Sequence, residues 1–278
     1  MGDETRGRSA FACLFGYNGP VNSDTISGVL TTTDGALHWL LRQDLSSGST
    51  APDPRPDYLN GEEIRLWESL KTDKRRRDWL LGRRTAKQLI AGLVGERFER
   101  GLSLDEITIR PHADGWPMVE LPPLDGLPAV TLSISHSHDW AFCAAVEGRN
   151  RPLGADIEAN ERRSAAFAEE YFTPLEIQFL SAAPAEQRAM LTNAIWSGKE
   201  SALKAIRRGL AEDTRLVSCL PHPLRHEYAS WLPMRIIWND DATTPPRPRL
   251  IGRWRPHGDF VLTLAAADSI SLDPRSKR

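Results

Sequence analysis

The sequence predicts an α/β (α+β) fold made of two similar subdomains, and three observations carry that reading. Short β-type runs and longer helical runs interleave along 278 residues, enough chain for one large domain or two of ordinary size. Val130–Ser135 and Trp140–Val146 are apolar strands joined by a tight turn at 136–139, so they should pair as a hairpin. That pattern returns near the end. His138-Asp139 precedes the first of these closing strands, and His257-Gly258-Asp259 precedes Phe260–Ala266, a second apolar strand ending in small residues. Two related halves then meet near residue 150, and the cleft between them is the natural place for a ligand.

The elements follow in order. Residues 1–35 are rich in Gly, Thr, Ser and Asp and read as an N-terminal extension. The first subdomain spans 36–150 and the second 151–278. Leu37–Leu41 is the first expected strand, and Ser46–Asp57 is a loop by composition. Asn60 is a good N-cap with Glu63 three residues on, so a helix starts there and continues to about Val94 with a break near Lys71–Asp73. Ile107–Arg110 reads as a strand, Asp114–Pro117 as a turn, and 122–128 as a loop. Leu153–Glu158 is a further strand, after a linker at 148–152. Residues 161–171 and 174–181 are expected helices, the second capped by Thr173 with Pro174 at its first position. A helix over Ala185–Arg208 is followed by strands at Arg215–Cys219 and Met234–Trp238 and a Pro-rich loop at 240–248.

The 35 basic and 37 acidic residues leave a net charge of −2, which gives no whole-molecule field for nucleic acid or an anionic membrane. Any anion site must be local. Cys13, Cys143 and Cys219 are scattered without metal or disulfide spacing, which suits a reducing compartment. No segment approaches a membrane span, so the expected location is cytoplasmic.

The helix over 185–208 holds the chemistry. At about 100° per residue, Ile195, Trp196, Ala202, Leu203 and Ile206 form one apolar arc. Lys199 falls inside it, where a cation needs something anionic to meet it. Glu200 and Lys204 lie one turn apart on its edge. Taken alone they read as a surface pair; beside an inward lysine they suggest a site. In Gly154-Ala155-Asp156-Ile157-Glu158 the two carboxylates point the same way from a strand. That is either an exposed strand face or, with Glu200, three oxygen ligands for a hard cation such as Mg²⁺. His136 between Ser135 and Ser137 is either a capping or core residue or part of a donor cluster that holds phosphate. Lys74, Arg75, Arg76, Arg77, Arg83, Arg84 and Lys87 make a basic helix. It is either a solvated face or, because Trp79, Leu80 and Leu81 fix its inner side, a surface for phosphate or an acidic partner. No G-x-S-x-G elbow, glycine-rich phosphate loop or dinucleotide fingerprint is present. These parts describe a Mg²⁺-assisted site for a polyanionic phosphate compound. A rival reading is a nucleic-acid-binding module built on 74–87.

Three motifs resemble the 4′-phosphopantetheinyl transferase family, in particular its larger monomeric type that serves nonribosomal peptide and polyketide synthases. They are Gly154-Ala155-Asp156-Ile157-Glu158, the W-x-x-K-E-S-x-x-K stretch Trp196–Lys204, and Ser135-His136-Ser137. One position departs: Gly115-Trp116-Pro117 stands where the family often carries a basic residue before the proline. The resemblance implies two α/β halves related by a pseudo-twofold axis, with coenzyme A between them. It implies transfer of phosphopantetheine from coenzyme A to a serine of an apo acyl or peptidyl carrier protein, with no nucleic-acid or membrane partner, by a monomer. Asp156, Glu158 and Glu200 would hold Mg²⁺. Glu200, or a water it holds, would take the serine proton, and Lys204 would meet the departing phosphate, so that Asp156, Glu200 and Lys204 form the catalytic set. Lys199 would support the same anion. Ser135, His136, Arg77, Arg83, Arg84 and Lys87 would bind the coenzyme A phosphates.

Overall fold

The structure is a computed structural model that describes residues 24–32, 35–45, 56–95, 101–209, 212–224, 230–239 and 246–268. Residues 1–23 of the expected extension, and most of the loops expected at 46–57 and 240–248, lie outside these.

Apolar alternation builds two antiparallel sheets, each centred on one of the expected hairpins. The first has the order β1-β2-β6-β5-β4-β3. Its strands are β1 (Thr25–Thr32), β2 (Gly35–Gln43), β3 (Thr108–Pro111), β4 (Pro117–Glu120), β5 (Val130–Ser137) and β6 (Trp140–Glu147). The second sheet, β7-β11-β10-β9-β8, comprises β7 (Leu153–Ala159), β8 (Val217–Pro221), β9 (Leu232–Trp238), β10 (Leu250–His257) and β11 (Phe260–Ala267). Five α-helices accompany them among the described residues: α1 (Gly61–Glu68), α2 (Asp73–Gly95), α3 (Ala165–Tyr171), α4 (Pro174–Ala182) and α5 (Arg188–Ala205).

Residues 25–32 correct one expectation. They are not part of an extension but an edge strand on β2, in register from Thr25 opposite Arg42 to Thr32 opposite Gly35. None of the eight is buried, because the strand's outer edge and one face meet no core, so its sequence lacks the apolar alternation that marks a strand. Elsewhere the local signals act as expected. Asn60 Oδ1 accepts the Glu62 and Glu63 amides at 3.1 and 3.0 Å, and Glu63 reaches back to the Asn60 amide at 3.3 Å. Thr173 caps α4 in the same way, with Glu176 as its partner.

The two halves are built alike, residue by residue. Each hairpin turn ends in an aspartate whose carbonyl accepts an amide from the next strand over: Asp44 N to Asp139 O and Asn160 N to Asp259 O, both 2.7 Å. From there β2 runs along β6 as β7 runs along β11, so Arg42 on β2 stands where Glu158 stands on β7. Each half also buries a glutamate from a capping box against a lysine of its long helix. Glu63 meets Lys87 of α2 and takes the Ile109 amide at 3.1 Å. Glu176 meets Lys199 of α5 at 2.7 Å and takes the Cys219 amide at 2.7 Å. Gln88 therefore occupies the place of Glu200. Instead of two carboxylates, this half has an Arg42–Gln88 hydrogen bond, with Asp24 3.8 Å from Arg42. Inner faces of the sheets meet through Leu37, Trp39, Leu41, Phe142, Ala155, Ile157, Leu262 and Leu264, all buried. This seam fixes β5 of one half against β7 of the other, which positions the site.

Candidate active site

The site assembles because α5 can lie unusually close to β7. Gly154 allows this: a Cβ there would collide with the carbonyl oxygen of Ser201. Ser197 and Ser201 then anchor the helix to β11 through the buried Thr263 hydroxyl, at 2.8 and 2.7 Å. Fixed in this way, α5 presents Glu200 and Lys204 to Asp156 and Glu158. One carboxylate oxygen from each of Asp156, Glu158 and Glu200 lies within 4.8 Å of the others. The expected trio is brought together.

Each member is held differently. Asp156 Oδ1 accepts from Ser135 Oγ of β5 at 2.7 Å and from Lys204 Nζ at 2.5 Å. Its second oxygen, Oδ2, is buried and has no hydrogen-bond partner among the described residues. A buried carboxylate oxygen without a partner, facing two further acids, is the chemistry of a divalent cation ligand. Glu158 is gripped at both oxygens, by Trp196 Nε1 at 3.2 Å and by Arg163 at 2.8 Å. Asn193 steadies Arg163 at 2.9 Å, and the guanidinium lies over Phe167. Sequence reasoning missed Arg163 and Asn193, since no spacing rule ties a loop residue to a strand carboxylate. Among the described residues, Glu200 pairs with Lys204, at 3.4 Å.

Crowded carboxylates resist ionisation. Burial, then Asp156, then Glu158 push the Glu200 pKa up to about 8, against the pull of Lys204. Burial and Asp156 raise Glu158 too, against Arg163. Burial works against the Lys204 ammonium, but Asp156 and Glu200 outweigh it and hold its pKa above the usual lysine value. Carboxylates this close repel one another, and a metal ion among them would relieve that repulsion.

His136 stands at the rim. Its ring lies against Gly82 of α2, where a Cβ would strike Nε2, and its outer side is open. Loss of water lowers its pKa to about 4; Lys204, Arg83 and Lys74 add to this, and Asp78 opposes it. The ring is neutral and sits among cations, a setting for an anion.

The 4′-phosphopantetheinyl transferase superfamily model matches residues 152–260, which hold Asp156, Glu158, Glu200 and Lys204. That stretch of the chain, its second half, is similar to the superfamily. Among its curated relatives, the 4′-phosphopantetheinyl transferase psf-1 of Bacillus pumilus is 29% identical over 123 residues, 44% of this chain and 48% of the relative. A 4′-phosphopantetheinyl transferase of Bacillus subtilis is 27% identical over 153 residues, 54% of this chain and 66% of the relative. The 4′-phosphopantetheinyl transferase Sfp of Bacillus subtilis strain 168 is 32% identical over 90 residues, covering 32% and 39%. The chain thus spans about half the length of the curated relatives it matches.

Several basic residues expected at this site are not there. Lys199 is fully buried, with Glu176 at 2.7 Å and the Val217 and Thr214 carbonyls at 2.6 and 2.9 Å. Its anion is a protein side chain, so it does not support a substrate phosphate. Lys87 is buried on Glu63 and the Tyr58 carbonyl, and it is corrected for the same reason. Arg83 is also turned inward, 3.9 Å from Glu63 and stacked on Trp79. Arg77 and Arg84 are exposed. At 100° per residue they lie roughly 140–160° around α2 from Gly82, so they project away from His136. Lys74 and Asp78 share the Gly82 face instead. Ser135 and His136 do flank the acids, Ser135 as a buried partner of Asp156 and Lys204.

Proposed function

We propose that this protein is a Mg²⁺-dependent 4′-phosphopantetheinyl transferase. It moves the phosphopantetheinyl group of coenzyme A onto a serine hydroxyl of an apo acyl or peptidyl carrier protein and releases adenosine 3′,5′-bisphosphate. The observation that supports this most is the convergence of Asp156, Glu158 and Glu200, with Asp156 Oδ2 buried and unpartnered. Asp156, Glu158 and Glu200 would hold the ion, and when bound it supplies charge neutralisation for the diphosphate.

The chain's own residues carry the rest. Ser135 and Lys204 fix one oxygen of Asp156, which aims the other at the ligand space. Trp196 and Arg163 leave Glu158 little rotational freedom. Glu200, or a water it holds, would accept the serine proton from its place beside Asp156 and Lys204. Lys204 stays protonated and offers its charge to the departing phosphate. His136, neutral when the site is empty, gains a proton more easily beside a phosphate. One chain carries every one of these groups, in keeping with a monomeric working unit. The carrier docks on the surface near 165–195, where Leu175 and Ile177 of α4 are exposed. Leu175→Asp should raise the carrier's KM and leave coenzyme A binding unchanged; no change in KM would refute that placement.

The nucleic-acid reading of 74–87 has no support, since Arg83 and Lys87 turn inward and break the basic face. The deciding experiment incubates the protein with Mg²⁺, coenzyme A and an apo carrier and weighs the carrier by mass spectrometry. A gain of one phosphopantetheinyl group is expected, and it should vanish with chelator. An unmodified carrier across several carrier types refutes the reading.

A further inference from the structure

The turn between β3 and β4 holds a stack that none of these roles uses. The rings of His112 and Trp116 lie 3.5 Å apart, centroid to centroid. On Trp116 sits the guanidinium of Arg207, 4.1 Å from the ring centroid. Arg207 comes from the other half of the molecule, three residues beyond Lys204. Its amide closes the end of α5 on the Lys204 carbonyl at 2.9 Å, and its φ is 59°. With the Arg208 amide on the Leu203 carbonyl at 3.0 Å, this is the left-handed turn that commonly ends a helix.

Two polar groups in the stack lack hydrogen-bond or ion-pair partners among the described residues. Trp116 Nε1 is buried with no acceptor among them. No carboxylate of the described residues pairs with Arg207; the nearby Asp114 is engaged by His112, at 3.3 Å. An indole beneath a guanidinium shields one face of it and leaves its in-plane N–H donors available. The place is also right. Met118 pairs with Thr131. Continuing that register sets Trp116 level with Ser133, two residues before Ser135, on the strand that leads into the acid cluster. The stack's cation is thus carried on the same helix end as Lys204, three residues further along the chain.

We propose that Arg207, held flat by Trp116, is a further substrate-binding residue that takes phosphate oxygens of coenzyme A through its planar fork. It supplies from the second half the cation that Gly115-Trp116-Pro117 does not. This rests on the coenzyme A reading above.

The test is calorimetric titration of coenzyme A and dephospho-coenzyme A into wild type, Arg207→Gln and Arg207→Lys, with thermal melts of each. Arg207→Gln should bind coenzyme A about tenfold more weakly, the scale of a charge-assisted pair to phosphate, with a thermal midpoint close to wild type. Arg207→Lys keeps the charge but not the fork, so its loss should be intermediate. An equal loss with both ligands places the contact on the diphosphate, and a loss confined to coenzyme A places it on the 3′-phosphate; either upholds the proposal. Unchanged affinity in Arg207→Gln overturns it and makes the stack a tie between the halves. If Arg207→Gln does not fold, unchanged affinity in Arg207→Lys overturns it. A wild type that binds no coenzyme A overturns the underlying reading as well; a wild type that binds it, with equal variants, overturns this inference alone.

Discussion

Replacing Lys199 by methionine asks whether that lysine serves the fold or the substrate. Lys199 is fully buried and donates to Glu176 and to the carbonyls of Val217 and Thr214. Methionine fills much of the same volume but carries no charge. Glu176 would keep the Thr173 and Cys219 amides, at 2.8 and 2.7 Å, and lose its cation. Removing one partner of a buried ion pair costs about 3–5 kcal/mol. Two carbonyls lose a donor as well, which places the value toward the upper end. At roughly 2–4 °C per kcal/mol for a chain near this size, the thermal midpoint should fall by roughly 6–20 °C. Adding Glu176→Gln should recover part of the loss, because the stranded charge is gone. The pH dependence has a definite sign. Burial already raises the Glu176 pKa despite Lys199. Without the lysine it rises further, the native state binds the proton more tightly than the unfolded chain, and stability grows as pH falls. The deficit of Lys199→Met should therefore shrink on acidification. Thermal melts at several pH values and the KM for coenzyme A are the readouts. A variant that melts like wild type but has a raised KM would show that the lysine touches substrate, and the structural assignment would fail.

Three further outcomes are expected. Asp156→Asn should weaken Mn²⁺ binding at least tenfold, read by electron paramagnetic resonance, and stop transfer while the circular dichroism spectrum stays native; full activity would sink the ligand assignment. Gly154→Ala should force β7 and α5 apart, cost about 1–3 kcal/mol, and lower turnover far more than the melt alone explains, because the displaced helix carries Glu200 and Lys204; wild-type turnover would contradict this. His136, with a pKa of about 4 when the site is empty, should remain neutral at pH 6 by NMR and titrate at higher pH once adenosine 3′,5′-bisphosphate is added; an unmoved titration would remove it from the anion site.

Much of the site was legible because its residues obey short-range periodicity. Asp156 and Glu158 share a face by the two-residue repeat of a strand, and Glu200 and Lys204 meet by the four-residue repeat of a helix. The capping boxes at Asn60–Glu63 and Thr173–Glu176 were equally local, and they gave correct helix starts. What Glu63 and Glu176 do next was not visible. Both bury their carboxylates on lysines 24 and 23 residues away. β1 was missed because an edge strand with little buried surface carries little pattern.

The sequence by itself determined the chemistry on offer: which side chains share a face, where helices begin, and that an inward lysine at 199 must meet an anion. Only the tertiary structure decided which anion that is. It also decided that Arg83 and Lys87 turn from solvent to Glu63, that Arg163 grips Glu158, and that Arg207 crosses to Trp116. The physical reason is range. Periodicity orders neighbours within a turn or two, whereas partners for buried charge are set by how α5 settles on β7, and that depends on packing across both halves.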